Sequence, residues 1–203
     1  MLLEKIENKD YTIILWTIEE SKDELLEILN FNPDIIEQIS AFNSEKRTLE
    51  YLAVRCALKE VLPNAIISYD NNGKPYLNNC NYNISISHTG HFAAIIISQS
   101  HSTGIDIERI TERVERVKHK FLSENELSNI NSKSERTHLA LLWAAKEAAY
   151  KILNIPQLSF YDIETDKFQP YLNGDFNAKI KNNDILNLQY KVYRDFVLVW
   201  TIK

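Results

Sequence analysis

Gly104-Ile105-Asp106-Ile107-Glu108, a glycine followed by alternating isoleucines and acids, has the two-residue period of a β-strand. Ile105 and Ile107 are predicted to take the buried face, which leaves Asp106 and Glu108 side by side on the other. Neighbouring carboxylates repel, so the arrangement suits a cation held between them. Further along, Trp143-Ala144-Ala145-Lys146-Glu147-Ala148-Ala149-Tyr150-Lys151 contains neither Gly nor Pro and reads as a helix. On it Trp143, Glu147 and Lys151 fall at i, i+4 and i+8, along one face. Glu147 can complete an oxygen cage with Asp106 and Glu108, with Lys151 one turn beyond. Three carboxylates and a lysine suit a hard divalent ion, Mg²⁺ with Mn²⁺ as the other candidate, carrying a phosphate-bearing substrate.

Working outward, residues 83–90 alternate cleanly and end in a polar turn, and residues 92–98 return as the second strand of a hairpin. With the acidic strand they predict a three-stranded antiparallel meander whose open face holds the site. Residues 11–18 read as a first strand, and residues 19–30 and 33–41 as helices. Residues 44–62 form a longer helix, with Ser44 as N-cap and Pro63 as its stop. Leu49, Leu52, Ala53, Cys56 and Leu58 make its core stripe. Arg47 and Thr48 lie at its positive end, where a phosphate is favoured. Asn72-Gly73-Lys74-Pro75 is a turn between extended segments.

After the acidic strand, Ser123 and Glu126 have the spacing of a capping box. Phe121 and Leu122, flanked by Arg113, Arg116, Lys118 and Lys120, offer a patch for gripping a partner helix, unless Phe121 folds inward. The helix over residues 135–153 follows. Short strands are expected over 160–164, 171–172, 178–180, 188–193 and 196–202, with Asn173-Gly174-Asp175 as a hairpin turn. Trp143 is expected to anchor a core. His91, His101, His119 and His138 read as surface or loop residues. The order predicts an α+β fold of two similar lobes in tandem, residues 1–102 and 103–203, each a small antiparallel sheet packed with a long helix.

A chain of 203 residues, 44% hydrophobic and 25% charged, has an ordinary globular composition and enough length to bury a core. Its net charge of −5 gives no basis for nucleic-acid binding. No apolar run reaches the ~18 residues of a bilayer span, and charges interrupt any apolar leader at the N-terminus, so no membrane partner is expected. Two cysteines, Cys56 and Cys80, without metal-ligand spacing, fit reduced thiols and a cytoplasmic location.

Gly-Ile-Asp-Ile-Glu at 104–108, followed by Trp-x-x-Lys-Glu-Ala-x-x-Lys at 143–151, resembles the paired signature of the 4′-phosphopantetheinyl transferases, in particular their longer, two-lobed type. The resemblance runs from about residue 44 to the C-terminus. It implies a pseudo-dimer with the active site in the cleft between the lobes, and hence a working monomer. It implies transfer of 4′-phosphopantetheine from coenzyme A to a serine of an apo acyl or peptidyl carrier protein. Asp106, Glu108 and Glu147 would hold Mg²⁺, and Glu147, Lys151 and Asp106 would carry the chemistry. Arg47 and Thr48 would meet the 3′-phosphate of coenzyme A. Lys74, in the family's Gly-Lys-Pro turn, would approach its nucleotide end, and Ser87 and His88 its phosphates, with Lys151 on the leaving phosphate. Arg55 also matches a family arginine, but on another helix face, and reads as structural. Glu126 is either a cap or a residue bordering the metal. Lys146 either pairs with a neighbouring acid or reaches phosphate. Ala144 stands where the family often has Ser or Thr.

Two other functions share these residues. A metal-dependent phosphohydrolase or nuclease also needs clustered carboxylates and a lysine, but should ignore coenzyme A. A noncatalytic carrier-protein binder would not need every charged position of both motifs, and all are present. No Gly-x-Ser-x-Gly elbow supports a hydrolase reading of Ser87-His88.

Overall fold

Met1–Ser100 and His101–Lys203 fold as two units in the computed structural model, which describes residues 1–155, 157–181 and 184–203. Both are α+β and built on antiparallel sheets.

The N-terminal unit runs β1 (Leu2–Glu7), β2 (Thr12–Thr17), α1 (Lys22–Ile28), α2 (Pro33–Ser40), α3 (Glu45–Lys59), β3 (Ile67–Tyr69), β4 (Pro75–Leu77), β5 (Asn83–Thr89) and β6 (Phe92–Ser98). Four strands pair in the order β1-β2-β6-β5, while β3 and β4 pair separately. The charged strand β1 was not expected. Its Lys5 and Glu7 face water at the sheet edge, where charge blocks further pairing. Ser21 caps α1 in a box with Glu24, so this helix starts later than its apolar pattern alone predicts. Ser44 caps α3 as expected. Leu52, Ala53, Cys56 and Ala57 of α3 pack with Ile14, Trp16, Ala93, Ile95 and Ile97 of the sheet. Burial pushes the Cys56 thiol up to about 12, so it is an inert core group.

The C-terminal unit contains β7 (Thr103–Arg109), α4 (Glu112–Val117), α5 (Glu124–Ser128), α6 (Glu135–Leu153), β8 (Ile163–Thr165), β9 (Asn173–Ile180), β10 (Ile185–Val192) and β11 (Phe196–Ile202). Its sheet order is β7-β11-β10-β9-β8. The acidic strand β7 therefore does not extend the β5–β6 hairpin into a meander. It pairs along its whole length with β11, from Thr103 opposite Ile202 to Arg109 opposite Phe196. Gly104 explains its seat against α6: a Cβ there would lie 2.2 Å from the Ala148 carbonyl oxygen. The strand can approach the helix this closely only without a side chain.

Asn173-Gly174-Asp175 is likewise no turn but the start of β9. Gly174 lies opposite Tyr190, and a Cβ on it would come 2.9 Å from the phenol oxygen, so the glycine makes room for a ring. Tyr171 and Leu172 precede that strand and are exposed. Phe121 and Leu122 do not form a surface patch. They are buried with Val114, Leu139 and Leu142, and Phe121 stacks edge-on against Trp143 with ring centroids 5.0 Å apart. His138 is also buried. Its Nδ1 accepts a hydrogen bond from the Asn131 N–H at 3.0 Å, and burial pulls it down to about 4.

Candidate active site

In the β7–β11 register Asp106 lies opposite Val199 and Glu108 opposite Val197. Directly paired residues share a sheet face, so both carboxylates stand on the face whose valines pack with the alanines of α6. That face is covered, not open as the alternation alone predicts: Asp106 is 6% and Glu108 7% exposed. Ile105 and Ile107 are buried too. Alternation assigns residues to two faces, but whether a face is wet depends on what packs over it.

Lys151 reaches from α6 and donates to Asp106 Oδ1 at 2.8 Å and to the Ile105 carbonyl at 2.9 Å. Glu108 accepts the Arg109 backbone N–H at 3.1 Å and lies 3.9 Å from the Arg113 guanidinium. Burial holds the Glu108 carboxyl above the usual range, and the Asp106 charge raises it further. Glu147 is raised by burial first, then by Asp106 and, after the opposing pull of Lys151, by Glu108. The three acids thus act on one another as one cluster, and the expected i, i+4 spacing of Glu147 and Lys151 brings both to it. Lys151, Arg113 and Arg109 oppose that mutual repulsion.

Among the described residues no three His, Cys, Asp or Glu side chains stand as a ready-made ligand set. The donor chemistry nevertheless fits a hard divalent ion: all oxygen, largely buried, and mutually repelling in a way that a second cation would relieve.

One residue away on α6, Lys146 points into a different environment. It is fully buried and donates to Glu126 Oε2 at 2.8 Å, the Phe160 carbonyl at 3.0 Å and the Ile163 carbonyl at 2.6 Å. Glu126 also accepts from the Ser123 N–H, and from the N–H and hydroxyl of Thr165. The capping box expected from Ser123 and Glu126 is present, and its carboxylate is spent on this closed network. Lys146 takes the first of its two expected roles, pairing with an acid.

In the N-terminal unit Arg47 is exposed, its guanidinium 4.6 Å from the centre of the Phe42 ring. Thr48 is buried and donates its hydroxyl to the Ser44 carbonyl at 3.1 Å, so it can serve a phosphate only by giving up that bond. Lys74 follows Gly73, whose φ of +79° suits glycine, in a turn held by Asp70 Oδ1 accepting the Asn72 and Lys74 N–H groups. Among the described residues the Lys74 ammonium makes no ion pair. His88 lies on the β5 face that carries Ile84 and Ile86 toward the helical core, whereas Ser87 is buried on the opposite face. Ser87 and His88 therefore do not act as one unit. His88 Nδ1 lies 3.4 Å from Glu50, which also faces Lys46 at 3.6 Å. Glu50 was not singled out in the sequence; its place one turn from Lys46 and Arg47 was the available signal. Arg55 is buried, its guanidinium over the Tyr51 ring and its Nη1 donating to the Tyr51 carbonyl at 3.2 Å.

Residues 102–199 match the family model described as the 4′-phosphopantetheinyl transferase superfamily. Over 137 residues the chain is 31% identical to the 4′-phosphopantetheinyl transferase gsp of Aneurinibacillus migulanus. The match covers 62% of this chain and 57% of that relative, so the chain spans little more than half the relative's length. Among the described residues no helix is long and apolar enough to cross a membrane.

Proposed function

We propose that the protein transfers 4′-phosphopantetheine from coenzyme A to a serine hydroxyl of an apo acyl or peptidyl carrier protein, releasing adenosine 3′,5′-bisphosphate. The observation that carries this reading is the cluster of Asp106, Glu108, Glu147 and Lys151, which lies within the segment matched to the superfamily.

In the reaction the serine oxygen forms a bond to the β-phosphorus of coenzyme A, and the bond from that phosphorus to the bridging oxygen breaks. Glu147 takes the serine proton. A half-buried carboxylate held above its usual range is a better base near neutral pH than a fully solvated one. Lys151, now shared between Asp106 and the Ile105 carbonyl, turns its charge to the leaving phosphate. Asp106, Glu108 and Glu147 would hold Mg²⁺ or Mn²⁺, which when bound acts as a Lewis acid on the diphosphate. Arg47 and Lys74 supply positive groups for the nucleotide end, and His88 a hydrogen-bond donor. Thr48 is kept for its helix turn, and Ser87 is left out because its side chain lies on the other face of β5. The carrier protein is met by charge: Arg113, Arg116 and Lys120 are exposed, and the neighbouring Phe121 and Leu122 are not available to it.

Intact-mass spectrometry of an apo carrier protein incubated with this protein, Mg²⁺ and coenzyme A tests the reading. The expected result is a gain of one phosphopantetheine, roughly 340 Da, that depends on Lys151. No gain with several unrelated carrier proteins, together with no binding of coenzyme A, would overturn it.

A further inference from the structure

We propose that Glu50 is a positioning residue for coenzyme A, holding the His88 imidazole so that its other nitrogen meets the 3′-phosphate. The proposal rests on the transferase reading above and adds to it a residue that no family motif supplied.

Glu50 sits in the second turn of α3 and is 8% exposed. A carboxylate so buried is costly unless its charge is matched. Lys46, one turn earlier on the same helix, matches it at 3.6 Å, and His88 Nδ1, from β5, faces it at 3.4 Å. The histidine side chain is 49% exposed, so one edge of the ring meets the acid and the rest meets solvent. The two ring nitrogens lie on opposite sides of the imidazole. Anchoring Nδ1 on Glu50 therefore turns Nε2 away from the helix, as an outward donor. Arg47 leaves α3 three residues before Glu50, on the same side of the helix. An acid beside an anion site would by itself lower affinity. Here Lys46 offsets its charge, and it remains as an anchor.

The experiment is calorimetric titration of the full chain, in Mg²⁺ buffer, with coenzyme A and with 3′-dephospho-coenzyme A. Wild type, Glu50→Leu, Glu50→Gln, His88→Ala and the Glu50→Leu/His88→Ala double variant are compared. Glu50→Leu should weaken coenzyme A roughly fivefold to tenfold, the scale of one lost oriented hydrogen bond. It should leave dephospho-coenzyme A unchanged and add nothing in the His88→Ala background. Glu50→Gln, whose amide oxygen still accepts, should recover most of the loss. Equal losses with both ligands, full additivity with His88→Ala, or tighter binding by Glu50→Leu would overturn the role of Glu50. Should wild type bind both ligands equally, the 3′-phosphate assignment itself fails, and the proposal with it.

Discussion

Two charge clusters stand one residue apart on α6, and they are built on opposite plans. Lys146 and Glu126 balance one for one, are almost wholly buried, and spend their polar atoms on each other and on fixed neighbours. Asp106, Glu108, Glu147 and Lys151 are acid-heavy and partly open at Glu147 and Lys151, and burial with the neighbouring acids holds the Glu108 and Glu147 carboxyls above the usual range. A closed pair fixes how helix, cap and strand meet. An unbalanced cluster stores repulsion that a cation or a proton can relieve, which is what a site for metal and phosphate requires. Sequence motifs list Lys146 and Glu147 as neighbours of equal standing; the fold separates structure from chemistry between them.

The largest expected break falls on the acidic cluster. Glu147→Gln should lower transfer by on the order of 10³-fold, since the proposed reaction assigns Glu147 both the proton transfer and a share of the metal. The same change should leave the melting temperature of the metal-free protein equal or higher, because it deletes a carboxylate that Asp106 and Glu108 repel. A strongly destabilised variant would make Glu147 structural and erase the contrast.

The closed pair should respond in the opposite way. Lys146→Met leaves Glu126 buried without its cation and should cost about 3–5 kcal/mol in urea unfolding. Adding Glu126→Gln keeps acceptors for Ser123 and Thr165 and should restore most of that loss. If the single variant is neutral, the network is not what holds these segments together.

A smaller effect follows from proton linkage. Glu108 and Glu147 are raised above their ordinary value of 4.5 in the folded chain. The native state then binds more protons than the unfolded state above that pH, so their contribution falls as pH rises through the raised values. Mg²⁺ should therefore lift the melting temperature more at pH 7.5 than at pH 5, and less so in Glu147→Gln. Equal shifts at both pH values would place the ion elsewhere.

The smallest expected effect belongs to His138, which lies away from both clusters. Its value drops from 6.5 unfolded to about 4 folded, so the stability it contributes is present above 6.5 and is lost as pH falls toward 4. His138→Gln should flatten melting curves over that window only.

Much of the fold was legible where the signal is local. The β5–β6 hairpin, the limits of α6, the Ser44 cap and the Ser123–Glu126 box follow from period and spacing. The partner of β7 was not, because β11 lies at the far end of the chain and no local pattern names it. The charges of the edge strand β1 hide it from a hydrophobic pattern, and Gly174 reads as a turn because packing, not backbone, demands it. In the site, the spacing of Glu147 and Lys151 led directly to one face. The burial of Asp106 and Glu108, and the contact of Glu50 with His88, depend on which elements pack together, and that is written only in three dimensions.

The most direct test of this contrast is calorimetric titration of the metal-free full chain with Mg²⁺ at pH 7.5, in wild type, Glu147→Gln and Lys146→Met/Glu126→Gln. The account predicts binding in wild type and in the double variant, and its loss in Glu147→Gln. Unaltered Mg²⁺ binding by Glu147→Gln would contradict it.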